Sequence, residues 1–154
     1  MVDLTHFNRW IQLSVYKNID EKRQGIPLYV VGQQRDTQTG VYRYIELRID
    51  GPFYSLVGTS DEYKIDIDID LVCTASLNEK DVTILSQLTG ICMQALQEDF
   101  CVYRFGKMQG DDESYVGTMQ TVSNVDTIIH SVGVLEAESN VQVAIVSAHF
   151  SMTL

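Results

Sequence analysis

The sequence reads as an α+β domain, a mainly antiparallel sheet built around a long β-hairpin at about 42–75, with two helices at about 4–18 and 79–97 and a C-terminal β-hairpin. Two observations carry the sheet. The run YKIDIDIDLV alternates strictly, with Tyr63, Ile65, Ile67, Ile69 and Leu71 on one side and Lys64, Asp66, Asp68 and Asp70 on the other. That is the period of a strand with one buried face. Upstream, YRYIELRID sets Ile45, Leu47 and Ile49 against Tyr44, Glu46, Arg48 and Asp50. The two runs pair as a hairpin whose outer face carries Glu46, Asp50, Asp66, Asp68 and Asp70 against a single arginine. A third observation supplies the first helix: Leu4, Phe7, Ile11, Val15 and Ile19 recur at three- and four-residue spacing.

In chain order, Asp3 is placed to cap that first helix, which is expected to end near Asn18. NIDEKRQGIP then reads as a polar loop closed by Gly25 and Pro27, Leu28 to Val31 as a short strand, and GQQRDTQTG as a turn-rich connection. Between the hairpin arms, DGPFYSLVGTSDE holds Gly51, Pro52 and Gly58, too many breakers for a two-residue turn. An extended loop or a projecting strand tip is expected there. Asn78 caps the second helix, with Glu79 and Asp81 in its first turn. This helix has two apolar stripes, one of Val82, Leu85, Cys92 and Leu96 and one of Ile84, Leu88, Ile91 and Ala95. So much apolar circumference needs cover on two sides, supplied either by a second subunit or by the chain's own sheet and first helix.

Phe100 to Phe105 and Tyr115 to Val122 read as strands around the acidic loop FGKMQGDDESY, and Thr127 to Leu135 and Val141 to Leu154 as the final hairpin. The last strand changes phase, from apolar Val141, Val143 and Ile145 to apolar Val146, Ala148, Phe150, Met152 and Leu154. Either a bulge lies near Ile145 or both faces are covered there.

The 154 residues are expected to form one domain, 1–154, since 45% hydrophobic and 21% charged residues suit a globular core. No membrane span is expected: the longest uncharged run is short and polar. The first residues lack a basic region followed by an apolar one, so no secretory leader is expected. Cys73, Cys92 and Cys101 all sit in apolar patterns without a C-x-x-C pair, as reduced core residues would. The net charge of −10 is uneven: residues 1–48 sum to +2 and residues 49–154 to −12. An acidic surface does not bind nucleic acid, but it suits a wall that DNA must pass without sticking.

Asp66, Asp68 and Asp70 open a D-x-D-x-D pattern, yet the calcium loop it belongs to needs Gly and Glu where Leu71 and Leu77 stand. On a strand, same-face carboxylates are roughly 7 Å apart, too far to converge on one ion unaided. A metal-binding domain centred on this strand, with Glu46 as an extra ligand, is therefore the weaker alternative. His6, His130 and His149 lack metal spacing, and His130, in phase with Ile128 and Val132, reads as a satisfied core histidine. No nucleophile elbow or glycine-rich phosphate loop is present. No catalytic residue, cofactor or metal is expected, and the chain is not read as an enzyme. Asparagine at the three aspartates is expected to be neutral or mildly stabilising, because it dilutes a like-charged row.

YIELRIDGPFYSL, YKIDIDIDLVCTAS, the Asn78-capped helix and VQVAIVSAHFSMTL, in that element order, resemble structural proteins of tailed bacteriophages, in particular the tail terminator or tail-completion proteins. The resemblance implies an α+β subunit that forms a ring, usually of six, at the head-proximal end of the tail. There it stops tube growth and joins the tube to the neck while leaving a passage for the genome. It implies partners in other copies of the chain and in tail or neck proteins, a place in the virion after assembly in the host cytoplasm, and neither enzymatic activity nor cofactor. On this reading the acidic residues Glu46, Asp50, Asp66, Asp68 and Asp70 face the channel. The stripe Ile84, Leu88, Ile91 and Ala95 meets a neighbouring subunit, and the loops at Pro52, Phe53, Tyr54 and at Asp111, Asp112, Glu113 contact partners. The strands after Phe105 exceed the minimal terminator pattern, which keeps a tail-tube or portal-adaptor role open.

Overall fold

The computed structural model describes residues 4–30, 43–58, 62–76, 84–105, 114–122, 128–134 and 141–153. Along them run α1 (Leu4–Lys22), β1 (Leu28–Val30), β2 (Arg43–Leu56), β3 (Tyr63–Ser76), α2 (Ile84–Leu96), β4 (Phe100–Arg104), β5 (Ser114–Thr121), β6 (Ile128–Val134) and β7 (Val141–Thr153). The strands form a seven-stranded sheet in the order β1-β2-β3-β7-β5-β4, with β6 also pairing β7. Every pairing is antiparallel except that of β1 with β2. This is the α+β class that the alternating and helical patterns predict.

Phe7, Ile11, Val15 and Ile19 of α1 are all buried, which is why the helix forms on the sheet. It runs past the expected end at Asn18 to Lys22, because Ile19 completes the stripe and draws the polar residues after it into one more turn. The stop comes at Gln24 (φ 53°) and Gly25 (φ 78°), a left-handed pair of the kind that ends helices. Arg23 secures this turn, donating to Asp20 Oδ1 at 2.7 Å and to the Ile26 carbonyl at 2.8 Å. On its flank α1 meets β4, the outermost strand. The Tyr103 N–H donates to Ser14 Oγ at 3.0 Å, and Trp10 Nε1 donates to the Phe105 carbonyl at 3.2 Å. A helix laid along an edge strand removes a template for pairing with other chains.

The hairpin is longer than a loop between its arms allows. β2 continues to Leu56, and the Val57 N–H donates to the Glu62 carbonyl at 3.0 Å, so strand pairing and not an extended loop fills the stretch to Leu56, with β7 alongside β3 as far as Lys64. The breakers Gly51 and Pro52 sit in a bulge: Asp50 pairs Asp68 and Phe53 pairs Asp66, leaving two residues of β2 against Ile67. The extra residue reverses the alternation. Ile45 and Leu47 point into the core, and beyond the bulge Tyr54, paired with Ile65, takes the inward side while Phe53 turns to the carboxylate side. Gly51 has φ +102°, and a Cβ there would lie 3.0 Å from the Asp66 carbonyl oxygen. Gly51→Ala is expected to cost about 1–3 kcal/mol, measured by urea denaturation. An unchanged midpoint would show that the bulge relaxes freely.

Both helices cover the isoleucine face of the sheet, and Ile65, Ile67, Ile69, Leu71 and Cys73 of β3 join one core with Leu88, Cys92 and Leu96 of α2. β7 pairs β3 in unbroken register from Lys64↔Thr153 to Ser76↔Val141, so no bulge interrupts β7 at Ile145. The phase change there reflects two covered faces. Ala144, Val146, Phe150 and Met152 are buried on the core side, while Val143 and Ile145 are half-buried on the other, paired with buried Thr74 and Val72. Cys73 and Cys92 are buried as expected, but Cys101 is exposed: it alternates outward between the buried Phe100 and Val102 of the edge strand. Asp3, Asn78, Glu79, Asp81, the connection 31–42 and the loop 135–140 lie outside the described residues, as does the side chain of His130.

Candidate functional site

The second face of the sheet carries the polar residues, and antiparallel register decides which of them meet. On β2 and β3, Glu46 stands opposite Val72, Arg48 opposite Asp70 and Asp50 opposite Asp68. On the other side of β3, β7 sets Ser147, His149 and Ser151 opposite Asp70, Asp68 and Asp66. Residues paired directly across antiparallel strands share a face, with Cβ atoms about 5 Å apart. Glu46, Asp50, Asp66, Asp68 and Asp70 therefore lie on one side, as the alternation predicts.

Their setting differs from a bare acidic wall. Glu46 is buried, only 6% exposed, and accepts a bond at 3.0 Å from the half-exposed Arg48, so it is not part of an exposed stripe. It sits at the end of the face where Val72 and Thr74 are also buried. His149 lies between two carboxylates, with Nδ1 2.6 Å from Asp68 Oδ1 and Nε2 3.2 Å from Asp66 Oδ1. Lys64 reaches Asp66 at 3.8 Å. Five carboxylates thus face the permanent cations Arg48 and Lys64, a balance of −3 that becomes −2 when His149 is protonated. The expectation of a single arginine on this face is corrected.

Both ring nitrogens of His149 can donate to carboxylates only in the imidazolium form. The bond to Asp68 is the main reason its pKa is raised; burial opposes the shift, and Asp66 adds to it. A group whose pKa is higher folded than unfolded adds stability that is full below about pH 6.5 and is lost as pH rises through the folded value. The chain is therefore expected to be more stable at pH 6 than at pH 8.5, and His149→Gln to remove this part of the difference. About 1 kcal/mol, the scale of a partly exposed ion pair, is expected. Denaturation midpoints at the two pH values measure it; the same pH difference in His149→Gln would sink the assignment. Asn at Asp66 or Asp68 removes a partner of the imidazolium, so below that pKa the expectation of a neutral or stabilising change is reversed.

No family model matches the chain, and no curated protein matches it.

The remaining expected contacts are sorted by burial. Ile84, Leu88 and Ala95 are taken up by the chain's own core and only Ile91 is half-buried, so this stripe is not the surface for a second subunit. At the hairpin end, the residues expected in a loop are in β2. Phe53 is 55% exposed, Pro52 is half-buried, and Tyr54 turns inward, where its ring packs at 6.4 Å from both Phe7 and Tyr63 and its hydroxyl donates to Asn8 Oδ1. Burial pushes the Tyr54 phenol pKa up. Asp111, Asp112 and Glu113 lie outside the described residues.

Among the described residues, the large exposed apolar side chains are Phe53, Leu56, Val57 and Tyr115, three of them at the end of the hairpin. Phe53 and Leu56 sit on opposite faces of the ribbon, paired with Asp66 and Tyr63. No group of three or more His, Cys, Asp or Glu among the described residues is arranged to hold a metal ion, and no described helix is long and apolar enough to cross a membrane. His149 is the site residue that sequence reasoning missed. Its signal was present in the alternation Ser147, His149, Ser151 against Ala148, Phe150, Met152, which put the imidazole on the polar face.

Proposed function

We propose that the chain is a structural subunit of a tailed-phage virion, a ring-forming tail terminator or neck component that caps the tail tube and leaves a passage for DNA. The observation that carries this reading is the hairpin arm. Phe53, Leu56 and Val57 are 55%, 62% and 41% exposed at its end, with apolar groups on both faces of β2 there. An arm apolar on both faces is suited to being clasped by a neighbour rather than to lying on a flat surface. A contact between an arm and a different surface of the next copy is heterologous, and heterologous contacts that close make rings.

Beside the arm, Asp50, Asp66, Asp68 and Asp70 keep the adjoining face negative, and the chain's net charge of −10 acts in the same sense. Such a surface offers no cluster of cations to release the counterions of the phosphates, so duplex DNA passes without being held. The partners on this reading are further copies of the chain and the neighbouring tail or neck proteins.

Size-exclusion chromatography with light scattering, followed by negative-stain imaging, tests the reading. Closed rings of uniform size are expected. Open filaments would move the assignment to a tail-tube protein, and a strict monomer at high protein concentration, absent from particles, would remove it.

A further inference from the structure

The buried thiols of Cys73 and Cys92 meet across the interface between sheet and helix. Cys73 lies on the core face of β3 and Cys92 on α2; they are 0% and 1% exposed, and their sulfurs are 3.3 Å apart. They are separated by 19 positions in sequence, so their contact joins two different elements rather than adjacent turns of one. Cys101, the third cysteine, is exposed on the edge strand β4.

We propose that Cys73 and Cys92 are a latent disulfide site, oxidised as a pair by low-molecular-weight disulfides such as glutathione disulfide when the chain meets an oxidising environment. The site is independent of how copies of the chain assemble. In the first step one protein thiolate attacks a glutathione sulfur, forming a mixed disulfide and releasing one glutathione thiolate. In the second, the other protein thiolate attacks the protein sulfur of that mixed disulfide, releasing the second glutathione. The two protons from the protein thiols end on two reduced glutathiones, and the two electrons lost by the protein are those gained by the reagent.

The sulfurs need to close by about 1.2 Å, from 3.3 Å to the ~2.05 Å of a bonded pair. Burial sets the kinetics. Since neither thiol reaches solvent in the closed fold, the first step proceeds only from states in which α2 has opened from the sheet. Cys92 is further slowed because its hydrogen bond to Cys73, and then burial, raise its pKa. Once formed, the bond fastens α2 to β3 and removes entropy from the unfolded chain by closing the intervening loop.

The test uses the full chain carrying Cys101→Ser, which removes the exposed thiol without touching the pair. After incubation with glutathione disulfide the protein is denatured, alkylated and mapped. The expected result is loss of both remaining thiols together, a cross-linked peptide joining Cys73 to Cys92, and a Tm raised on the order of 5–10 °C that dithiothreitol reverses. Two results would overturn the proposal: persistent glutathione adducts with no Cys73–Cys92 cross-link, or two alkylatable thiols after exposure for longer than the amide protons of α2 take to exchange. Adding Cys92→Ala must abolish the Tm rise. The peptide map on Cys101→Ser alone decides the matter if that variant does not fold.

Discussion

Phe150→Ala is expected to lower the unfolding free energy by about 3–5 kcal/mol, the range for truncating a fully buried aromatic. Phe150 is 0% exposed, stands on β7 opposite Ile67, and meets the Phe100 ring edge-on at 5.1 Å. It therefore links the central hairpin to the β4–β5 wing of the sheet, and its removal leaves a cavity bordered by both. Against a typical total of roughly 5–15 kcal/mol, a loss of that size brings the domain close to unfolding. Urea denaturation should show a much lower midpoint with an unchanged slope. A loss below about 1 kcal/mol would mean that the wing packs less closely against the hairpin than this core requires.

The second large effect concerns assembly. On the ring assembly proposed above, Phe53→Glu combined with Leu56→Glu is expected to convert rings to monomers while leaving Tm nearly unchanged. The two side chains are mostly solvated, so the fold loses little with them, within roughly 0.5 kcal/mol each. An interface loses much more, because two carboxylates would have to be desolvated in every contact. Light scattering and thermal melts on the same sample separate the outcomes. Rings of wild-type size from the double variant would exclude the arm as the contact; a collapsed Tm would mean that the arm serves the fold.

Much of this fold was legible because its signals are local. Period-two alternation in Tyr63 to Val72 placed Ile65, Ile67, Ile69 and Leu71 in the core, and the three- and four-residue recurrence of Phe7, Ile11 and Val15 placed α1 on it. What escaped reading depends on pairing between distant segments. His149 lies 81 positions from Asp68, and no local pattern announces that β7 sets one against the other. The contact of Cys73 with Cys92 is hidden in the same way, since neither residue's neighbours specify how α2 crosses β3.

Other departures arose where two local signals competed. The polar run after Asn18 suggested a loop, but burial of Ile19 carried α1 one turn further. Gly51 and Pro52 suggested a break, and the ladder absorbed them as a bulge. The two stripes on α2 were both visible, with two possible covers; that the chain itself covers Ile84, Leu88 and Ala95 followed only from the packing of the whole domain.

The bulge also governs what small genetic changes can do to the arm. It is a one-residue shift in the grammar of the strand: before it, odd positions face inward, and after it, even ones do. Deleting one codon at 51–52 would only flatten the bulge, leaving the remaining residue opposite Ile67 and Phe53 to Leu56 with their present partners. Deleting both would keep the rungs from Arg43 to Asp50 in place, bring Phe53 opposite Ile67 and turn the segment from Phe53 to Leu56 over as a block. Phe53 and Ser55 would take the inward side from Tyr54 and Leu56, at the expense of Tyr54's contacts with Phe7 and Asn8. An in-frame deletion of two codons thus rewrites the contact surface in one step, a route to a new partner that leaves the pairing of Arg43 to Asp50 unaltered.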